Sequence, residues 1–523
     1  MNETRHLSIG RSGRAALILI FLIGAALRFL DFSNPPLDFH PARQLHSALI
    51  ARGFYLADGG TLPGWGAAER DEARIRGEQE LWIEPPVMEY ISAKLYALAG
   101  DADLRLPRAL AILFWLIGAA GLNRICRGWL SDVGRAAAFA LYLLLPYGVL
   151  VSRSFQPEAL MTALTIFALA MLGDWTERRS WGAAILTAVF AGAAVYVKQV
   201  MIFPIGFALG FAVLSTCGSI RKAFASAQVW LMALMTVGPA AAYNVWGVWI
   251  DGFLRQQYQG RFVFSEWFSV GFYIRWLREI DAVFGVGLIA AALIGLALIG
   301  LALIRRPGLR WIWVGYLVGY AAYGFALPHH IGTHDYYQTP LFPLASVGLG
   351  VFADSVGTVA ARIERARGRD WLGRTMIAGA IALGCGWMIV DTATRLGRTD
   401  FRDAPERYRR IAERYDPYPN QINIVGLMDD YGAGLMYWGL RTAMIWDGSV
   451  EALPAAEADR VLRETMNNRQ YFIATDMERF YQQPRLQQWL QAHGELMERE
   501  EGALVFRIDN GDDAPEERTN EAF

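Results

Sequence analysis

Three clusters of polar residues border long apolar runs and could do chemistry. The first is LDFHPARQLHSALIARGFY, in which Asp38, His40, Arg43, Gln44 and His46 crowd into nine positions. A carboxylate held there, just past an apolar run, could take a proton from a hydroxyl; the bland alternative is a connector whose charges face water. The second is WIEPPVMEYISAKLYALAG, where Glu84 precedes Pro85 and Pro86. The prolines fix the chain direction and can open a helix, so Glu84 is either an acid facing back into its loop or a helix-start carboxylate favoured by the dipole. The third is HHIGTHDYYQTP, His329 to Pro340. His330 and His334, four apart, could chelate a divalent metal on a helix with Asp335 as a third ligand. Gly332 between them argues for a loop and no fourth ligand is evident, which leaves hydrogen bonding as the other use. Tyr336 and Tyr337 are either substrate contacts or interfacial aromatics.

The elements that must position these groups are membrane helices. Of 523 residues 54% are hydrophobic and 19% charged, against about 25% charged in an ordinary soluble domain. The apolar residues gather into blocks approaching the roughly 20 residues that cross a hydrocarbon core. Helices are expected at 15–32, 106–122, 135–151, 157–173, 181–197, 200–216, 226–246, 281–304, 310–327, 340–354 and 375–392, an α-helical polytopic membrane protein of about eleven spans. The net charge of −1 excludes a chain-wide basic surface, so nucleic acid is not an expected partner. Cys126, Cys217 and Cys385 are too scattered for a disulfide framework or a CxxC metal site. The N-terminal run has no small-residue cleavage site and reads as an uncleaved first helix.

Basic residues alternate between sides. One set of connections carries the N-terminal arginines, Arg124/Arg127/Arg135, Arg178/Arg179, Arg221/Lys222, Arg305/Arg306/Arg310 and Arg362 to Arg374; the short connections of the other set carry little beyond Arg153 and Lys198. The positive-inside rule makes the N-terminus cytoplasmic and the C-terminus periplasmic in a bacterial inner membrane. The chain then divides into a membrane module at 1–392 with outer loops 32–105, 247–280 and 328–339, a small soluble α/β domain at 393–509, and an acidic, disordered tail at 510–523. In the first outer loop a helix from about Pro41 to Tyr55, with Leu45, Leu49, Ile50 and Phe54 on one face, is expected to lie along the membrane surface.

The order Asp38-x-His40-x-x-Arg43-Gln44, then Glu84-Pro85-Pro86, then SRSFQPEAL at Ser152 to Leu160, then HDYYQTPLFP at His334 to Pro343 resembles bacterial glycosyltransferases of family 39. These are GT-C fold enzymes similar to protein O-mannosyltransferases and to the transferase that places aminoarabinose on lipid A. The chain departs from the pattern in two places. Ala42 and Arg43 follow Pro41 where an Asp-Glu pair is usual, so the acid must be Asp38, and Glu158 follows Pro157 where Asp is expected.

The resemblance implies transfer of one sugar from a polyprenyl-phosphate carrier to a lipid, glycan or protein acceptor at the outer face. Such a step needs a base for the acceptor hydroxyl and cations for the leaving phosphate. Asp38 is the expected base, with Glu84 as the second catalytic carboxylate. Only three of the 49 Lys and Arg residues are lysines, and Lys198 stands on the side poor in basic residues. A compact ammonium there points to the phosphate, helped by Arg43 and Arg153, with Arg255 and Arg261 in reserve. An alanine at Lys198 is expected to weaken donor use and leave folding unharmed. His40, Gln44, Glu158, His334, Asp335, Tyr336 and Tyr337 are expected to contact substrate. No cofactor is required, with a divalent metal at His330, His334 and Asp335 as the minor alternative. A transporter or flippase of a lipid-linked sugar is the competing reading, although transport sites usually lie near the midplane and these residues cluster at outer helix ends.

Overall fold

A computed structural model describes residues 11–255, 263–302, 307–365, 372–398, 400–415, 423–446, 448–500 and 502–508. Arg261, the basic residues at 305, 306, 367 and 369, and the expected disordered tail at 510–523 lie outside the described residues.

The chain divides into two compact units. The first comprises the described residues of Met1–Ser33, Leu81–Ser92 and Asp103–Thr399. Each of the eleven expected apolar runs is largely helical over its described residues. Among the described residues six helices are by themselves long and apolar enough to cross a membrane, and two bent helix pairs raise that to eight. Glu158–Arg178 is the central helix, with 78% of its apolar window buried, whereas Thr375–Leu396 is peripheral at 11%. Exposed Leu, Ile and Phe on outer helices, such as Ile18, Leu19 and Leu383, suit a surface whose solvent is lipid.

Two expected spans are broken, for identifiable reasons. Asp132–Leu144 and Pro146–Ser152 meet at 53° because Pro146 has no N–H for the carbonyl of Tyr142 and forces Leu145 into extended backbone. The freed carbonyls are satisfied from other helices. The Trp115 indole donates to Tyr142 O at 3.0 Å, and the buried Arg28 guanidinium donates to Leu143 O at 2.8 Å, with Nε 2.7 Å from Ser152 Oγ. Val270–Phe284 and the helix beginning at Val286 meet at 97°, with Gly285 at φ +75° between them, a conformation glycine adopts without penalty. Elsewhere helices pack through glycine. A Cβ on Gly295 or Gly348 would collide with the facing backbone, so those two helices touch main chain to main chain, the close approach that small residues permit in membranes.

The second unit comprises the described residues of Asn34–Glu80, Ala93–Ala102 and Asp400–Phe523. The loop assigned from sequence to the membrane module therefore contributes most of its length to the C-terminal unit. The sheet has β1 (Ile424–Leu427), β2 (Met444–Ile445), β3 (Tyr471–Ala474), β4 (Gly494–Glu500) and β5 (Ala503–Ile508) in the order β2-β1-β3-β5-β4. β1 runs parallel to β2 and β3; β5 runs antiparallel to β3 and β4. Both faces are covered: Val425, Phe472 and Phe506 pack with Leu462, Leu486 and Leu490, and Ile424, Ile473 and Val505 pack with Tyr408, Ile411 and Leu435.

The expected surface-lying helix forms as Pro41–Ala57, but it is buried on nearly all sides. Gly53 and Gly77 bring it against helix Ala67–Gln79. Arg52, 2% exposed, stacks on Tyr437 and donates to that residue's carbonyl at 2.8 Å. Its apolar residues meet protein, not lipid, which overturns the membrane-surface reading.

Candidate active site

Lys198 ends helix Trp181–Val197, where the backbone turns extended (φ −146°, ψ 103°) before a short 3-10 turn at Gln199–Met201. This break aims the ammonium sideways into the unit. Glu158 opens the central helix, where the dipole favours an acid. Lys198 Nζ donates to Glu158 Oε1 at 2.7 Å, and Glu84 Oε1 lies 3.4 Å from the same nitrogen. The side chains are 1% (Lys198), 0% (Glu158) and 29% (Glu84) exposed. The cation thus has one carboxylate sealed behind it and one at the open side.

Tyr336 and Tyr337 present their rings to the same ammonium, with centroids 5.5 and 5.6 Å from Nζ, within the range of cation–π attraction. Both stand on the 3-10 turn Asp335–Gln338. Tyr337 also meets the rings of Tyr323 and His330. The segment that carries Glu84 is held in place by Tyr243, whose hydroxyl donates to Trp82 O at 2.6 Å. A cavity of about 320 Å³ opens beside this cluster. Glu84, His330 and Tyr337 line it together with Gln199 and Asn244, and its remaining wall is mainly apolar, including Val195, Phe203 and Val237. The geometry offers a cation with a replaceable partner next to a greasy recess, which suits an amphiphile with an anionic head.

Sequence reasoning missed Tyr323, Tyr243, Gln199 and Asn244. Asn244 was detectable as a polar residue within an apolar run; the two tyrosines look like any other interfacial aromatics.

A family model described as dolichyl-phosphate-mannose-protein mannosyltransferase matches residues 83–243, a stretch containing Glu84, Glu158 and Lys198. No curated protein sequence matches the chain. Among solved structures it is similar to ArnT from Cupriavidus metallidurans, in the apo state and bound to undecaprenyl phosphate. Each has TM-score 0.58 and 16% identity, over 95% of this chain and 98% of that one. It is also similar to the oligosaccharyltransferase AglB from Archaeoglobus fulgidus in complex with an inhibitory peptide and a dolichol-phosphate, with TM-score 0.55 and 12% identity over 97% and 75% of the two chains. The chain has the GT-C fold.

The other expected site residues of this GT-C chain distribute as follows. Arg153 is buried and donates to Asp31 O at 3.1 Å, so part of its hydrogen-bonding capacity fixes the turn after the first helix. Asp38, His40, Arg43 and Gln44 belong to the second unit. Gln44, 1% exposed, donates to Phe39 O and Pro36 O and so shapes the turn. His40 sits in left-handed backbone (φ 45°) as the residue capping helix Pro41–Ala57. Ala42 N–H in the first turn of that helix donates to Asp430, whose carboxyl is pushed up to about 6 by burial and then by Asp429, against the pull of His40.

The histidine spacing does not produce a chelating helix. The short helix Pro328–Ile331 stops before Gly332, and His334 Nδ1 lies 2.8 Å from Thr333 Oγ1. Among the described residues no group of three or more His, Cys, Asp or Glu side chains is placed to hold a metal ion.

Proposed function

We propose that this chain transfers a single sugar from a polyprenyl-phosphate carrier to an acceptor hydroxyl at the outer face of the membrane, with inversion at the sugar carbon. The observation that carries the reading is the Glu158–Lys198–Glu84 cluster flanked by Tyr336 and Tyr337 at an apolar cavity. The GT-C fold, the mannosyltransferase family match and the undecaprenyl phosphate bound by ArnT all support it.

Chemistry assigns the parts. Both carboxylates ionised would outweigh one ammonium, so a donor phosphate can reach Lys198 only by displacing an acid. Glu84 is the one to yield, being farther away and nearer solvent, while buried Glu158 stays to hold the ammonium in place. In the reaction the acceptor oxygen forms a bond to the anomeric carbon as that carbon's bond to phosphate oxygen breaks. The acceptor proton goes to Asp38, and the carrier leaves as its phosphate, stabilised by Lys198. Arg43 and Arg153 are the supplementary cations, and His40, His334 and Asp335 are polar contacts for sugar or acceptor.

The test is the purified protein in vesicles with radiolabelled polyprenyl-phosphate sugars and an envelope extract as acceptor. Label should leave the carrier for a new product. Label that stays on the carrier and only changes leaflet would make the protein a flippase and end the transferase reading.

A further inference from the structure

A second feature lies elsewhere in the first unit. The first turn of Arg11–Arg28, the end of Arg105–Cys126 and the start of Asp132–Leu144 come together away from Glu158 and Lys198, since Arg14, Asn123 and Arg135 line one groove that neither of those two residues enters. These three helices line an open groove of about 640 Å³. Its walls include Leu17, Phe21, Leu113, Ile117, Ala120 and Phe139, and its basic end has Arg14 and Arg135 with Asn123. Ile18, Leu113 and Ile117 are well exposed along it, as residues facing lipid are.

Arg135 is out of place in such a surface. Its side chain is 2% exposed; one guanidinium nitrogen donates to Asn123 Oδ1, and its buried Nε–H has no protein partner among the described residues. A buried guanidinium with an unfilled N–H at the edge of hydrocarbon is costly unless an anion supplies the missing oxygen. The groove beyond it dictates what that anion is attached to. From Asn123 to Leu113 the helix rises about 15 Å, half of the roughly 30 Å hydrocarbon thickness, which is the reach of one acyl chain and far short of a polyprenyl chain.

We propose that this groove binds an anionic glycerophospholipid, its phosphate against Arg135 and Arg14 and one acyl chain along Leu113, Ile117 and Phe21. The lipid completes the hydrogen bonding of Arg135 and seals the three helices at their basic end. The site is separate from the transferase reading and does not depend on it.

Native mass spectrometry of the full chain in mild detergent, titrated with phosphatidylglycerol or phosphatidylcholine, tests this. One phosphatidylglycerol should be retained at least ~5-fold more strongly than phosphatidylcholine, the order expected for one basic residue at a lipid headgroup. Arg135→Gln should erase that preference. Ala120→Trp, which fills the groove from its lipid side without touching a charge, should cut retention of both lipids. Arg124→Gln, a neighbour that pairs with Asp174, should change nothing. Equal retention of the two lipids by the unaltered protein would overturn the proposal, as would undiminished retention in a folded Ala120→Trp protein. Displacement of phosphatidylglycerol by equimolar undecaprenyl phosphate would overturn it in favour of a carrier site.

Discussion

Lys198 Nζ is 2.7 Å from Glu158 Oε1, and neither side chain reaches solvent. The ammonium that sequence reading offered to a phosphate is therefore also the counter-ion of an acid that cannot be hydrated. Function and folding are joined at this pair.

Lys198→Ala should accordingly destabilise the protein by about 3–5 kcal/mol, the cost of leaving a buried charge alone, contrary to the tolerance expected from sequence. The double variant Lys198→Met/Glu158→Leu removes both charges and should recover most of that stability while remaining without transferase activity. Thermal unfolding in detergent alongside a transfer assay separates the two effects. A Lys198→Ala protein as stable as the parent would show that Glu158 is neutral in the fold.

Glu84→Gln should leave thermal stability unchanged, since this side chain is part-exposed. If the donor phosphate displaces Glu84 from Lys198, removing the competing charge should tighten undecaprenyl phosphate binding about 5-fold, the scale of a part-exposed ion pair. Weaker binding would mean that Glu84 organises the site and does not step aside.

Asp38→Asn should reduce turnover about 100-fold or more, the contribution typical of a general base, with donor affinity preserved. Normal turnover in Asp38→Asn together with a dead Glu84→Gln would move the base to Glu84.

Asp430 gives a pH prediction. Its folded-state pKa is raised to about 6 from 3.8, by burial first and Asp429 second; Asp429 is raised as well. The folded state thus holds a proton that the unfolded chain has released between these values, so stability falls as pH rises from about 4 through 6. Asp430→Asn should raise the unfolding temperature at pH 7.5, and the gain should vanish near pH 4, where the parent carboxyl is protonated. A constant difference across that range would remove Asp430 from the titration.

The helical runs were legible because twenty apolar residues in a row have few other uses. β1, β3 and β5 are short apolar runs of the kind that read as strands, whereas β2 is two exposed residues and β4, GELMERE, alternates too little to read as one. Pro146 and Gly285 were visible as residues, but the bends they cause depend on what catches the released carbonyls. At the site, Lys198 stood out by rarity and Glu158 by motif. Their pairing across 40 residues did not, since one-dimensional spacing carries no information about which helix ends meet. The helix at Pro41–Ala57 was misjudged because its apolar face suits a protein neighbour as well as it suits lipid.

Arg28 has a bearing on how the chain is made. Besides Gly24 O in its own helix, its acceptors Leu143 O and Ser152 Oγ are 115 and 124 residues downstream. At roughly 5–20 residues per second, the ribosome needs on the order of ten seconds to deliver them after Arg28 has been synthesised. During that interval the guanidinium has only Gly24 O of its own helix as an acceptor and must be held at the headgroup level or by the insertion machinery. Final seating of the first helix is thus a late event in biogenesis, gated by arrival of the helix pair that Pro146 bends.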